Sequence, residues 1–153
     1  MDAPRFEPQD PGYTERVRAS FAQQGAMQTI GAMLADIAPG RVVIELPWNK
    51  AVTQQHGFVH AGMLAAALDS ACGYAASTLM PADAGVLTIE FKINLLAPAQ
   101  GERFRMEGVV IKPGRTITVT EGRCIALHEG REKLVATMGA TLMTITGRQD
   151  IKH

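Results

Sequence analysis

The stretch Gln54-Gln55-His56-Gly57-Phe58-Val59-His60-Ala61-Gly62-Met63-Leu64 leads into Ala65-Ala66-Ala67-Leu68-Asp69-Ser70-Ala71-Cys72-Gly73-Tyr74-Ala75-Ala76-Ser77-Thr78-Leu79-Met80, and together they decide the reading of this chain. A polar loop of glutamines, histidines and glycine runs into the most apolar, small-residue-rich segment of the sequence. Between Lys50 and Asp83 there is one formally charged residue, Asp69. A carboxylate in such surroundings is costly unless something satisfies it. The pattern predicts a buried helix over about 60–80, ended by Met80-Pro81. Its length invites a membrane-spanning reading. The central Asp69, the many Ala and Gly residues, the lack of basic flanks and the strand patterns that follow favour the core helix of a soluble protein instead.

Outward from that helix the chain reads as its housing. Upstream, Asp10-Pro11 reads as a helix start, and Tyr13, Val17 and Phe21 give a short amphipathic helix of about 11–24, stopped at Gly25. Residues 27–49 read as a hairpin, with strands Met33–Ile37 and Val42–Leu46 around Pro39-Gly40. Downstream, Leu87, Ile89, Phe91, Ile93 and Leu95 alternate with Thr88, Glu90, Lys92 and Asn94, which predicts a half-buried strand. Three more strands follow, at about 102–112, 115–127 and 133–146, separated by Pro113-Gly114 and Glu129-Gly130. Tight turns between successive strands imply an antiparallel sheet, and one long apolar helix must bury its surface on it. The expected architecture is α+β: one antiparallel sheet wrapped around one long central helix, with a short N-terminal helix. The 153 residues suit a single domain, with a core of about 27–146 and flexible tails at 1–10 and 147–153.

Composition narrows the function classes. Fifteen basic and fifteen acidic residues cancel, so no long-range field favours nucleic acid. Cys72 and Cys124 make no disulfide framework of the secreted type. The N-terminus lacks the apolar core of a signal peptide. A cytoplasmic protein is expected. His56 and His60 stand four apart in a glycine-containing loop with no third ligand evident, so no metal is expected. Cys72, one helical turn after Asp69, reads as packing rather than as a nucleophile.

The arrangement Gln54-x-x-Gly57-x-x-His60-Ala61-Gly62, with Asp69 further on, resembles the hotdog-fold acyl-CoA thioesterases of the phenylacetate-degradation (PaaI-like) family. Gln54 occupies the family's amide position, Gly57 its first glycine, His60 its histidine, and Asp69 matches its acid. The run from Leu87 to Pro98 looks like the family's first strand after the helix. One departure is Ala61, where the family has glycine; the family uses that residue's backbone N–H, which alanine retains. The resemblance implies hydrolysis of an acyl-CoA thioester, a homodimer with its sites at the subunit interface, and pairing of dimers into a tetramer. It implies no cofactor, because coenzyme A belongs to the substrate. It also implies contacts to substrate from Gly57, Phe58 and Gly62, and places Thr88 opposite the acid.

Thioester hydrolysis needs a base or nucleophile and a stabilised oxyanion. Helix N-terminal N–H groups supply the latter, as expected here at Ala61 and Gly62, and one such donor contributes about 3 kcal/mol in a transition state. Asp69 lies eight residues after Ala61. That is about 12 Å along one helix. If both act on one carbonyl, they come from different subunits. Asp69 is then general base or nucleophile, Gln54 orients water or carboxylate, and His60 fixes the loop. Lys112 and Arg115, presented by the Pro113-Gly114 turn, are expected to meet coenzyme A phosphates; Arg103 and Arg105 share that strand. Phe58, Met63, Leu64 and Tyr74 would set pocket depth. A hotdog-fold hydratase or dehydratase and a non-catalytic acyl-CoA-binding module stay open as alternatives.

Overall fold

The computed structural model describes residues 5–151. The outermost parts of the expected tails, 1–4 and 152–153, lie outside them. Helices α1 (Tyr13–Ala22) and α2 (Gly25–Ile30) precede strands β1 (Met33–Ala38) and β2 (Arg41–Pro47). A single 3-10 turn, Lys50–Val52, leads to α3 (Ala61–Ser77). Four strands follow: β3 (Gly85–Leu95), β4 (Arg103–Lys112), β5 (Ile117–His128) and β6 (Arg131–Ile145). They form one six-stranded sheet in the order β1-β2-β4-β5-β6-β3, every pair antiparallel. The sheet wraps around α3, which packs on β2 to β6.

Small residues let α3 lie close. Leu64, Leu68, Ala71, Cys72 and Ala75 are buried against Ile44, Phe104, Met106 and Leu142. At the crossing point Gly108 of β4 pairs with Gly122 of β5. A Cβ on Gly108 would stand 2.4 Å from the Ala71 carbonyl group, and one on Gly122 would stand 3.0 Å from Cys72 Sγ. Helix backbone therefore touches sheet backbone, and no rotamer change relieves an added methyl. Gly108→Ala is expected to lower unfolding free energy by about 3 kcal/mol, at the upper end for overpacking. Chemical denaturation measures it; an unchanged midpoint would contradict the close approach.

The N-terminal part differs from the expectation of one helix over 11–24. The helix breaks at Gln23 and Gln24, and Gly25 opens a second helix rather than ending the first. Residues 27–30 are thus helical, not part of the hairpin. Gln24 is extended at the break (φ −81°, ψ 96°), which frees its side chain to turn toward α3. Asp10 does not cap directly; its carboxylate accepts from Gly12 N–H (2.8 Å) and from Arg16 (2.9 Å). Arg16 also donates to Ser77 Oγ, Ser77 O and Met80 O, so α1 adds to the capping of the α3 C-terminus that Thr78 provides through Ala75 O.

Strand β3 forms where its alternation places it, yet it is not half-buried. Leu87, Ile89, Phe91 and Leu95 are 43–53% exposed. β3 is an edge strand, paired on one side only with β6. A β-bulge between Thr88 and Glu90 adds the second departure. Thr88 pairs with buried Leu142, and Phe91 with buried Ala140, so both face the helix side despite their odd spacing. A bulge inserts one residue and flips the alternation beyond it.

Candidate active site

The bulge decides where Thr88 points. Its Oγ1 donates to Asp69 Oδ1 at 2.7 Å. Asp69 is half-buried on α3, and burial raises its pKa above the ordinary carboxylate value, with the Thr88 hydrogen bond working the other way. Among the described residues no basic side chain pairs with it. The acid sits on a cavity of about 350 Å³ between α3 and the start of β3. Cys72 is fully buried and burial pushes its thiol up to about 12, the reverse of what a nucleophile needs.

The loop half is built by its own backbone. Gln54 N–H donates to Phe58 O, Gly57 N–H donates to Gln54 O, and Gly57 takes a left-handed φ of 87° that favours glycine. Trp48 Nε1–H holds the Gly57 carbonyl at 3.1 Å. Gln54 Oε1 is engaged by the His56 N–H, leaving its amide N–H groups as its outward chemistry. His60 is the N-cap of α3, its Nδ1 accepting from Gly62 N–H at 2.8 Å. This narrows the oxyanion expectation. The Gly62 donor is taken by the cap, whereas Ala61 N–H meets no acceptor among the described residues. Because His60 Nδ1 accepts, its ring proton lies on Nε2.

Gln54, Phe58, His60 and Ala61 border a second cavity, of about 560 Å³, closed on its other side by Leu95 and Leu96. It shares no lining residue with the Asp69 cavity. Within one chain the acid and the loop therefore do not meet. Lys112 and Arg115 are exposed at the β4–β5 turn. Ile117, Met143 and Leu87 are in register across β5, β6 and β3, which puts that turn at the Asp69 end of the sheet. Arg105 is committed elsewhere: Glu107 and Glu132 bind it at 2.8 Å each. Among the described residues, no three His, Cys, Asp or Glu side chains cluster to hold a metal ion.

The sequence reading missed Ser20, Gln24 and Ser70. Ser70 Oγ donates to Gln24 Oε1 (2.8 Å), and Gln24 Nε2 donates to the Tyr74 hydroxyl (3.3 Å), which also hydrogen-bonds Ser20 Oγ (3.1 Å). Through Ser20, Gln24, Ser70 and Tyr74 this network lines the Asp69 cavity together with the acid. No local pattern announced it, because it depends on the helix break at Gln24.

A family model described as thioesterase superfamily matches residues 56–132, the loop, the helix and the first strands after it. The chain belongs to the thioesterase superfamily. A thioesterase family protein from Silicibacter pomeroyi has a similar crystal structure, with a TM-score of 0.88, 53% identity, and coverage of 89% of this chain and 100% of that one. The Escherichia coli PaaI protein from the phenylacetic acid degradation operon shares the fold at a TM-score of 0.77 and 18% identity, over 88% of this chain and 94% of that one. A 1,4-dihydroxy-2-naphthoyl-CoA hydrolase of Listeria monocytogenes is 25% identical over 118 residues, 77% of this chain and 94% of the relative. The fold is thus the hotdog expected from the loop and helix. Among the described residues no helix is long and apolar enough to cross a membrane.

Proposed function

We propose that this protein hydrolyses acyl-CoA thioesters to a free acid and coenzyme A, in a composite site shared by two subunits. The observation that carries this reading is the unpaired Asp69 carboxylate, held by Thr88 at a cavity, in a thioesterase-superfamily chain. The relative that hydrolyses a CoA ester supports the choice of carrier. Asp69 accepts a proton from water as the water oxygen bonds to the thioester carbon. The carbonyl oxygen becomes an oxyanion and takes the free Ala61 N–H of the partner helix. Collapse breaks the C–S bond, and the departing thiolate takes the proton from Asp69. Gln54 offers amide N–H groups, donors for the carbonyl or the carboxylate, and His60 secures the helix start. The reaction draws on no cofactor, and the cytoplasm is the compartment expected for it.

The exposed apolar edge of β3 supports a dimer. A second copy pairing antiparallel about a two-fold axis at Phe91 would set Glu90 opposite Lys92 and lay residues 93–96 of one chain beside 86–89 of the other. Leu95 and Leu96 border the loop cavity, while Val86, Leu87 and Thr88 border the Asp69 cavity. The pairing would join the two cavities into one site. A tetramer of such dimers would use the convex sheet face, where Ile111, Ile117 and Val119 are exposed.

Thiol release from phenylacetyl-, benzoyl- and medium-chain acyl-CoA esters tests the activity. Release supports hydrolysis; hydration of an enoyl-CoA without thiol release would replace it with the hydratase reading. Arg115→Ala is expected to raise KM for a CoA ester by about tenfold, the effect of losing one charge-assisted phosphate contact. It should leave a short thioester without the nucleotide unaffected. Equal effects on both substrates would remove Arg115 from the phosphate site.

A further inference from the structure

We propose that the C-terminal segment 147–151 is a specificity element, seated by Gly85, that ends the acyl pocket about one helical turn from Asp69. The proposal rests on the reading of Asp69 as the carboxylate at the thioester. From Asp69 the cavity runs along α3 to Gly73 and Tyr74, and along β3 from Thr88 back to Gly85. Four residues of helix separate Asp69 from Gly73, a depth of about 6 Å. Asp150 and Ile151 from the C-terminal segment, Ser20 of α1 and Gln24 at the break before α2 complete the lining.

The segment is seated on β3 backbone. A Cβ on Gly85 would lie 2.7 Å from Ile151 Cγ2 and 2.8 Å from the Ile151 carbonyl oxygen. Only glycine lets the segment pack so closely. Arg148 grips both oxygens of Asp150, so the turn is held in shape and its carboxylate does not meet the acyl group as a lone charge. The opposite wall is held by the Ser70–Gln24–Tyr74–Ser20 hydrogen bonds, which a longer chain would have to break. The pocket therefore suits a compact acyl group, such as an aromatic ring or a short branched chain. An extended decanoyl chain would have to displace one of the two walls.

The experiment compares the 153-residue chain, a chain ended after Thr146, Gly85→Ala, Ile151→Ala, and the shortened chain carrying Gly85→Ala. Affinities are measured by calorimetry for non-hydrolysable ketone analogues of phenylacetyl-, butyryl-, octanoyl- and decanoyl-CoA. In the unaltered 153-residue chain the decanoyl analogue is expected to bind at least about tenfold more weakly than the phenylacetyl analogue, as rejection at a pocket wall gives. Truncation should close that gap. Gly85→Ala and Ile151→Ala should move it the same way, and Gly85→Ala should add nothing to the truncated chain. A length profile identical in all five proteins overturns the proposal. Thiol release from the matching thioesters is followed in parallel. A shifted binding profile with no turnover anywhere keeps the wall and retires the hydrolase reading; turnover with an unshifted profile does the reverse.

Discussion

Asp69→Asn is expected to lose about 10²- to 10⁴-fold in kcat/KM, the range for a general base, while remaining folded and dimeric. The substitution keeps shape and the partner for Thr88, whose hydroxyl can donate to the amide oxygen as it does to the carboxylate. The charge is what goes. Burial already holds the Asp69 pKa above the ordinary 3.8. An acid with a raised folded pKa weakens the fold at pH values above that pKa and has no effect below its unfolded value. The Asn variant should therefore match or exceed wild-type stability at neutral pH. Its advantage should shrink as pH falls through the raised value and vanish below about 3.8. The same raised pKa shifts the acid limb of the wild-type kcat/KM profile upward, because the base must be ionised to act. Turnover near the wild-type rate by Asp69→Asn would end the assignment. Single turnover in ¹⁸O-water separates base from nucleophile: label retained in the Asp69 carboxyl group marks a covalent anhydride.

The fold was legible where a pattern was local, and less so where it depended on a strand's place in the sheet or on a break. The apolar run from Ala61 onward and the strands after it carried the helix-in-sheet architecture, because a helix with so much buried surface has few ways to cover it. Asp69 stood out because a lone carboxylate in an apolar helix is hard to explain otherwise. The exposure of Phe91 and Leu95 was not legible: alternation reports which residues seek burial, not whether the same chain buries them. The bulge was equally silent, although it is what turns Thr88 to Asp69. Gln24 lacked any signal, because its role comes from the interruption between α1 and α2. The commitment of Gly62 N–H to His60 follows from cap geometry, which the spacing alone left open between two donors.

Subunits carrying Asp69→Asn and subunits carrying Ala61→Pro are each expected to be inactive alone and to recover activity when mixed into heterodimers. Proline is tolerated at the first position of a helix, where Ala61 stands. His60 already has the extended backbone that a residue before proline prefers (φ −60°, ψ 136°). Proline thus deletes the one N–H proposed for the oxyanion, a loss of about 10²- to 10³-fold, without breaking α3. In a heterodimer one site combines both lesions. The other combines an intact Asp69 with an intact Ala61. With random pairing half the dimers are mixed and each has one live site, so about a quarter of wild-type activity should return. If both groups acted within one chain, no mixture would recover anything. Adding Phe91→Glu to both partners supplies the counter-test: like charges at the proposed two-fold axis should block β3 pairing and remove the recovery. Sedimentation would then show monomers, and recovery that survived in a monomeric mixture would refute the shared site.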